Sequence, residues 1–304
     1  MSASNNNMQG TTVLSSASSA QESPAARVLR RFWSNPIAVG SFVLILFFAL
    51  TAGITVLLSL TGHDWPYNPN LTNLELKLLP PSSQHLMGTD NLGRDVFSRM
   101  LHGALISLTV GLVAVAVSLG IGMVIGAIAG YFGGITDQIL MRAVDALLCF
   151  PTFFLILTVV ALLGPSLLNI VIVIGLVSWT GTARLVRSEF LTLRESEYVK
   201  SARVLGQGAF HIITRHILPN AAAPILVTAV LGIPDAILQE AGLSFLGFGV
   251  QPPQATWGNI IADGKTYLLD AWWLNLFPGL AIFIASLSFY LAGDALREAA
   301  ESKS

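Results

Sequence analysis

Long apolar runs alternate with short polar stretches along this chain. Ile37–Leu60 holds 24 residues without a charge, Ala104–Ala129 is a second such run, and Leu147–Trp179 is a third of 33 residues. Ala221–Leu238, interrupted only by Asp235, and Trp272–Ala292 complete the set. A helix rising ~1.5 Å per residue crosses a hydrocarbon layer of ~30 Å in about 20 residues. Four of the runs therefore each predict one crossing. The third is too long for one, and Gly164, Pro165 and Ser166 at its middle read as a turn between two. Pro36 suits the start of the first helix. The pattern predicts an all-α integral membrane protein with five or six spans.

Composition supports a lipid-facing surface. Only 11% of the 304 residues are charged and 53% are hydrophobic, against roughly a quarter charged in a soluble domain. Net charge is −1, which gives no footprint for nucleic acid. Cys149 is the only cysteine, so no intrachain disulfide can form, and its apolar surroundings suggest a small core hydrophobe.

The bias of basic residues chooses between five and six spans. With six, and the N-terminus inside, 12 of the 16 basic residues are cytoplasmic: Arg27, Arg30, Arg31, Arg142, Arg184, Arg187, Arg194, Lys200, Arg203, Arg215, Arg297 and Lys303. Lys77, Arg94, Arg99 and Lys265 remain outside. With five spans the inside count falls to 5 of 16, so six are expected, with both termini cytoplasmic. Residues 1–30, rich in Ser, Asn, Ala and Gln over their first part, are read as a disordered cytoplasmic tail. The first run lacks a small-residue cleavage site and reads as a retained anchor, not a signal sequence. Residues 31–103 then form the first transmembrane helix and an irregular external loop containing Pro66, Pro69, Pro80 and Pro81. Residues 104–298 form the core transmembrane domain, with a cytoplasmic loop over 180–220.

That loop carries its own pattern. Glu195–Leu205 reads as a short helix whose narrow apolar face is Tyr198, Ala202 and Leu205. Gly206 stands where a helix C-terminus favours positive φ, and Gly208 adds freedom. Phe210–Leu218 looks helical again, and Pro219 is expected to halt or kink it. Gln207, beside the turn, is read as exposed and without a role. An ordered helix–turn–helix of this size, flanked by basic residues, suggests a docking surface.

The residues here resemble a known family. Glu197-Tyr198-Val199-Lys200-Ser201-Ala202-Arg203-Val204-Leu205-Gly206, followed by His216-Ile217-Leu218-Pro219-Asn220, is similar to the EAA loop of binding-protein-dependent ABC importers. That pattern runs E-A-A, three residues, Gly, nine residues, then I-x-L-P. Lys200 and His216 depart from it in the way usual for the dipeptide, oligopeptide and nickel permease subfamily. Gly88-Thr89-Asp90-Asn91-Leu92-Gly93-Arg94-Asp95-Val96-Phe97-Ser98-Arg99 resembles the segment before the second span of that subfamily's C-type permease. Leu243-Ser244-Phe245-Leu246-Gly247-Phe248-Gly249-Val250-Gln251-Pro252-Pro253, then Trp257-Gly258, resembles its segment after the fifth span.

The resemblance covers roughly residues 30–297 and implies a type I ABC importer permease with six transmembrane helices in a bacterial inner membrane. It implies a non-catalytic subunit without cofactors, embedded in lipid. Its partners would be a second homologous permease, two ATP-binding subunits on the cytoplasmic side, and an external substrate-binding protein. The EAA loop would pack on an ATPase subunit as a coupling helix, through Glu197, Tyr198, Lys200, Ser201, Ala202, Arg203, Gly206, Leu218 and Pro219. Small Ser201 and Ala202 would allow close approach, and Glu197, Lys200 and Arg203 would ion-pair at the rim. Di- or oligopeptides are the leading expectation for the solute. Nickel and other small solutes share the architecture and stay open as alternatives.

Other classes find less support. A secondary transporter without an ATPase predicts inverted repeats and mid-membrane charges; no internal repeat is evident and the deep membrane is nearly chargeless. An intramembrane enzyme needs a paired nucleophile and base, or metal ligands. Gly264-Lys265-Thr266 resembles the end of a P-loop, but five residues separate Gly258 from Gly264 where four are required. Gly242-Leu243-Ser244 has Leu246 where a nucleophile elbow needs glycine. His63, His85, His102, His211 and His216 lack metal-ligand spacing. Asp137, Asp145, Asp235 and Glu240 lie near span ends, and intramembrane acids are functional candidates by default. Asp235, Glu240 and Pro234 are the candidates for a pathway or gate. Gly122, Gly126 and Gly130 recur every fourth residue and predict close helix packing.

Overall fold

The computed structural model describes residues 24–62 and 65–301. Eleven α-helices in it follow in chain order: α1 (Pro24–Ser34), α2 (Pro36–Leu60), α3 (Val96–Phe132), α4 (Gly134–Leu148), α5 (Thr152–Leu163), α6 (Leu167–Arg194), α7 (Glu197–Val204), α8 (Ala209–Ile212), α9 (Leu218–Phe245), α10 (Trp257–Gly264) and α11 (Trp273–Glu301). Five helical segments are long and apolar enough to cross a membrane: α2, α3, α6, the continuous stretch from α8 through α9, and α11. The pair α4 and α5 passes the same test only jointly, because it bends by 81° at its break, and it makes a sixth span if counted as one.

The ends of the apolar runs moved, for local reasons. The second helix begins at Val96, where Asp95 caps it: Asp95 Oδ1 accepts from the Ser98 N–H at 2.8 Å and from the Ser98 hydroxyl at 2.8 Å. The irregular segment expected to run to residue 103 therefore ends at Asp95. The turn at Gly164–Ser166 is present, with Gly164 at φ +88 and Ser166 capping α6. The run before it is not one straight helix from Leu147. Pro151 ends it, and α5 keeps only 12 residues, or ~18 Å. Cys149 sits exposed at that break and donates to Asp145 O at 3.3 Å, so the expected core position is corrected. Of the tail expected over 1–30, residues 24–30 lie in α1; residues 1–23 lie outside the described residues.

α6 continues to Arg194 and helix resumes at Ala209, so the predicted 180–220 loop shrinks to a short hairpin around Glu195–Gly208. Pro219 does not halt the chain. Ile213–Ile217 widen into a π turn between α8 and α9. A proline clashes with the carbonyl four residues before it, and a wider turn relieves that crowding.

α3 and α6 form the closest pair in the bundle, and the glycine stripe is the reason. A Cβ on Gly122 would lie 2.6 Å from Thr182 Cβ, and one on Gly126 would lie 2.5 Å from the Ala183 carbonyl oxygen. Gly175 answers from α6, where a Cβ would meet Val117 Cβ at 2.7 Å. Backbones at this separation gain dispersion contacts that larger side chains would forbid. By contrast α2 leaves most of its surface uncovered, including Phe47, Leu50, Ile54 and Leu57, as a lipid-facing helix does.

At the bundle end carrying residues 65–95 and 246–272, the loops are tied by buried charges. Asp90 Oδ2 accepts from Arg94 Nε at 2.6 Å and lies 3.5 Å from Arg99 Nε. Asp263 Oδ2, on α10, lies 3.1 Å from Arg94 Nη2 and 3.7 Å from Arg99 Nη2. Two arginines against two aspartates leave the cluster neutral, which limits the cost of burying it. Burial pushes the Asp263 carboxyl up from its ordinary pKa, and the two guanidinium groups pull against that. His85 Nδ1 pairs with Asp95 Oδ2 at 2.8 Å, and Trp273 Nε1 donates to Thr89 O at 3.1 Å.

Candidate functional site

At the opposite end of the bundle, α7 and α8 form a hairpin. α7 closes in a Schellman turn: the Gly206 N–H donates to Arg203 O at 3.0 Å and the Gln207 N–H to Ala202 O at 3.1 Å, with Gly206 at φ +77. The inner face of α7 is Val199 and Ala202, both buried with Ile212 and Ile217 against Val186 and Phe190 of α6. This corrects the expected face of Tyr198, Ala202 and Leu205. Only Ala202 of those three is covered, and it helps hold the hairpin to its own chain. Val204 at 88% exposed, Leu205 at 79% and Phe210 at 81% instead project outward together with the half-exposed Tyr198.

The polar residues of the hairpin are placed differently from one another. Glu197, Lys200, Ser201 and Arg203 are exposed. Lys200 Nζ stands 3.5 Å from Glu195 Oε2, and the Arg203 guanidinium lies over the Tyr131 ring of α3 at 5.7 Å. Leu218 is partly buried and Pro219 exposed at the start of α9. Arg194 Nη1 donates to Gly130 O at 3.1 Å, closing the C-terminus of α3 with a cation. Asp137 pairs with Arg187, whose Nη2 reaches Asp137 Oδ2 at 2.6 Å, and Asp145 Oδ1 accepts from Arg184 at 2.6 Å. These two pairs fasten α4 to α6.

Sequence reasoning missed Gln207. Its Oε1 lies 2.9 Å from His216 Nε2, so it bridges the Schellman turn to the π turn that leads into α9. The exposed, roleless reading fails on that contact. The spacing of nine residues across an unpredicted π turn hides it from any helical periodicity.

A cleft of about 260 Å³ opens between α3, α6 and α9. Small residues line most of it, among them Ala114, Ser118, Gly181 and Gly232. Asp235 lines it as well, with its carboxylate accepting from the Tyr290 hydroxyl of α11. Glu240 and Pro234 do not. Glu240 is fully buried on another side of α9, where its Oε1 accepts from Ser244 Oγ at 2.7 Å and Thr256 Oγ1 at 2.9 Å. Thr256 caps α10 in a reciprocal capping box with Asn259. Glu240 thus ties α10 to α9, and Pro234 is packed inside the bundle. Among the described residues, no group of three or more His, Cys, Asp or Glu is placed to hold a metal ion.

Residues 122–303, spanning α6, the hairpin, α9 and α11, match the family described as binding-protein-dependent transport system inner membrane component. The chain belongs to this family. The inner-membrane component also matches, over residues 23–81, the N-terminal transmembrane domain of oligopeptide transport permease C. It is similar to the dipeptide transport system permease protein DppC of Alkalihalophilus pseudofirmus, 40% identical over 281 residues, 92% of this chain and 90% of that protein. The di/tripeptide transport system permease protein DppC of Pseudomonas aeruginosa is 38% identical over 290 residues, 90% of this chain and 92% of that one. The dipeptide permease DppC of Bacillus subtilis is 38% identical over 275 residues, 90% and 84% respectively.

The three stretches that carried the resemblance now have positions in the permease. The first is the hairpin. The other two, around Gly88–Arg99 and Leu243–Gly258, lead into the same clasp at the far end, where Arg94 reaches Asp263 just beyond the second stretch. Gly258 allows that packing: a Cβ there would stand 2.7 Å from Ala241 Cα.

Proposed function

We propose that this permease is one half of the transmembrane pathway of an ATP-driven importer for short peptides, and that the α7–α8 hairpin is where an ATPase subunit docks. The observation that carries the docking role is the outward triad Val204, Leu205 and Phe210 on a hairpin whose inner face is locked into its own core. Apolar side chains exposed at this level, beyond the spans and set in a polar rim, favour a protein partner. Glu197, Lys200, Ser201 and Arg203 supply the rim. Ala202 and Gly206 shape the hairpin, and Leu218 with Pro219 joins it to α9. The basic bias of the sequence supports a cytoplasmic hairpin and cytoplasmic termini. Closure of two ATPase subunits on ATP would draw the hairpins of this chain and a second, homologous permease together and reopen the cavity toward an external binding protein. The peptide class follows from the relatives, three of which are dipeptide or di/tripeptide permeases by name. The cleft beside α9 is this chain's wall of the path.

The test is Gly206→Val in the assembled transporter. No atom crowds Gly206, so the strain is confined to a β-branched residue at φ +77, worth ~1–3 kcal/mol. Membrane abundance should stay at the wild-type level, while co-purified ATPase subunits and peptide uptake both fall. Full uptake with wild-type retention of the ATPase subunits removes the hairpin from the mechanism.

A further inference from the structure

We infer that α1 is an interfacial helix that binds the anionic phospholipid surface, with Leu29 and Trp33 dipped into lipid and Arg30 and Arg31 turned to the phosphates. This goes beyond the importer reading and does not rest on it.

α1 carries three arginines and no acidic residue. At ~100° per residue, Val28, Leu29, Phe32 and Trp33 fall within one arc of ~140°, and Arg30, Arg31 and Ser34 share ~100° on the other side. The protein covers only part of the apolar arc. α1 packs against α2 and α11, and Val28 and Phe32 are half-buried, whereas Leu29 and Trp33 stay exposed.

The junction with α2 places α1 at the membrane boundary. Only Asn35 separates the two helices. Its backbone is extended, at φ −89 and ψ 116, and its Oδ1 accepts from the Ile37 N–H at 2.9 Å, so α2 starts afresh there. On one continuous helix Trp33 and Phe42 would stand ~13 Å apart along the axis. Their ring centroids are instead 5.1 Å apart, edge to face. α1 therefore turns aside from the axis of α2 and lays Trp33 beside it. Phe42 belongs to the uncovered surface of α2 that runs on through Val43, Phe47, Leu50 and Ile54. The edge formed by Leu29 and Trp33 continues that lipid-facing surface.

Two costs set the depth. The arginines keep α1 out of the hydrocarbon, and the exposed apolar edge disfavours lifting it into water. A basic amphipathic helix settles between them, in the plane of the headgroups, where tryptophan is enriched. Planar guanidinium groups suit phosphate, and anionic headgroups attract basic segments beside a span. The rival occupants of this edge are an ATPase subunit or the second permease. Continuity with the bare face of α2 favours lipid over both.

Two experiments test the proposal. In the complete transporter, in vesicles of phosphatidylcholine and phosphatidylglycerol, nitroxides are placed at Leu29→Cys and Ser34→Cys in a Cys149→Ser background. Position 29 should be relaxed mainly by oxygen and position 34 mainly by a water-soluble nickel chelate. Chelate access at both positions overturns the proposal, as does shielding of position 29 from both reagents, the mark of a covering protein. For the lipid class, the full-length permease is unfolded thermally in nanodiscs of phosphatidylcholine with and without phosphatidylglycerol. The anionic lipid should raise the wild-type midpoint by ~3 °C or more. Arg30→Gln/Arg31→Gln should lose at least half of that rise, while Arg142→Gln, which removes an exposed arginine of α4, should keep it. No rise in the wild type, a full rise in the double variant, or an equal loss in Arg142→Gln overturns the proposal. Should the double variant not insert, salt decides: ~1 M salt should erase the wild-type rise, and its persistence overturns the charge-based contact.

Discussion

Gly126 offers the sharpest test of how the bundle is held. An added Cβ there would meet the Ala183 carbonyl oxygen at 2.5 Å, Val186 Cβ at 2.7 Å and the Arg187 backbone nitrogen at 3.0 Å. None of these is the far end of a flexible side chain. Restoring ordinary contact at ~3.4 Å would part α3 from α6 by roughly 0.9 Å, and overpacking of this kind costs ~1–3 kcal/mol. Alanine also gains up to ~1 kcal/mol over glycine in a helix, which blurs a single measurement. Gly120 removes the ambiguity. It lies on the same helix with nothing within 4 Å of its would-be Cβ, so Gly120→Ala carries the propensity gain alone. The difference between the two variants isolates the contact at ~1–3 kcal/mol. Thermal unfolding of the purified chain in detergent, followed by loss of the monodisperse species, should put Gly120→Ala at or above wild type and Gly126→Ala well below it. Coincident midpoints for the two variants, within about 1 °C, would show that the glycine stripe does not set the approach of these helices.

Two further outcomes are expected. Gln207→Ala and His216→Ala should each weaken retention of the ATPase subunits, and in a double-mutant cycle they should show a coupling of ~0.5–1.5 kcal/mol, the worth of one hydrogen bond; strict additivity would make their contact incidental. For orientation, exposed Ser201 and Lys265 are replaced singly by cysteine in a Cys149→Ser background. An impermeant maleimide applied to intact cells should label position 265 and spare position 201; labelling at 201 would invert the assigned topology.

What the sequence made legible followed from length and charge. A run of 24 uncharged residues admits few structures other than a crossing helix, and α2 is one. The turn at Gly164 and the positive φ at Gly206 were legible because only glycine enters that region without strain. The glycine stripe was legible because fourfold spacing survives in any helix. Helix ends were less so, since α3 and α6 carry polar residues well past their apolar centres: Arg99 inside a buried cluster, and Arg187 paired with Asp137. Hydropathy stops at such charges, whereas the backbone does not. The face of α7 was misread because eight residues with four apolar positions, Tyr198, Val199, Ala202 and Val204, allow two narrow faces. Packing against Val186 and Phe190, distant in sequence, decided for Val199 and Ala202. Glu240 and Asp235 looked alike as intramembrane acids, and only their neighbours, Ser244 and Thr256 for one and an open cleft for the other, separate them.

The helix that begins at Ala209 runs unbroken through the π turn to Phe245, so the hairpin and the cleft wall are two stations on a single rod. Ala209 and Asp235 are 26 residues apart in it, ~39 Å along the axis. A pivot of about 5° at the hairpin would therefore carry Asp235 sideways by roughly 3 Å, about one hydrogen-bond length. A shift of that size would have to carry α10 and α11 along or break their ties to α9 at Glu240 and Asp235. The stiffness of the joint, held by the Gln207–His216 contact and the Schellman turn, then sets how much of a push at the hairpin reaches the cleft.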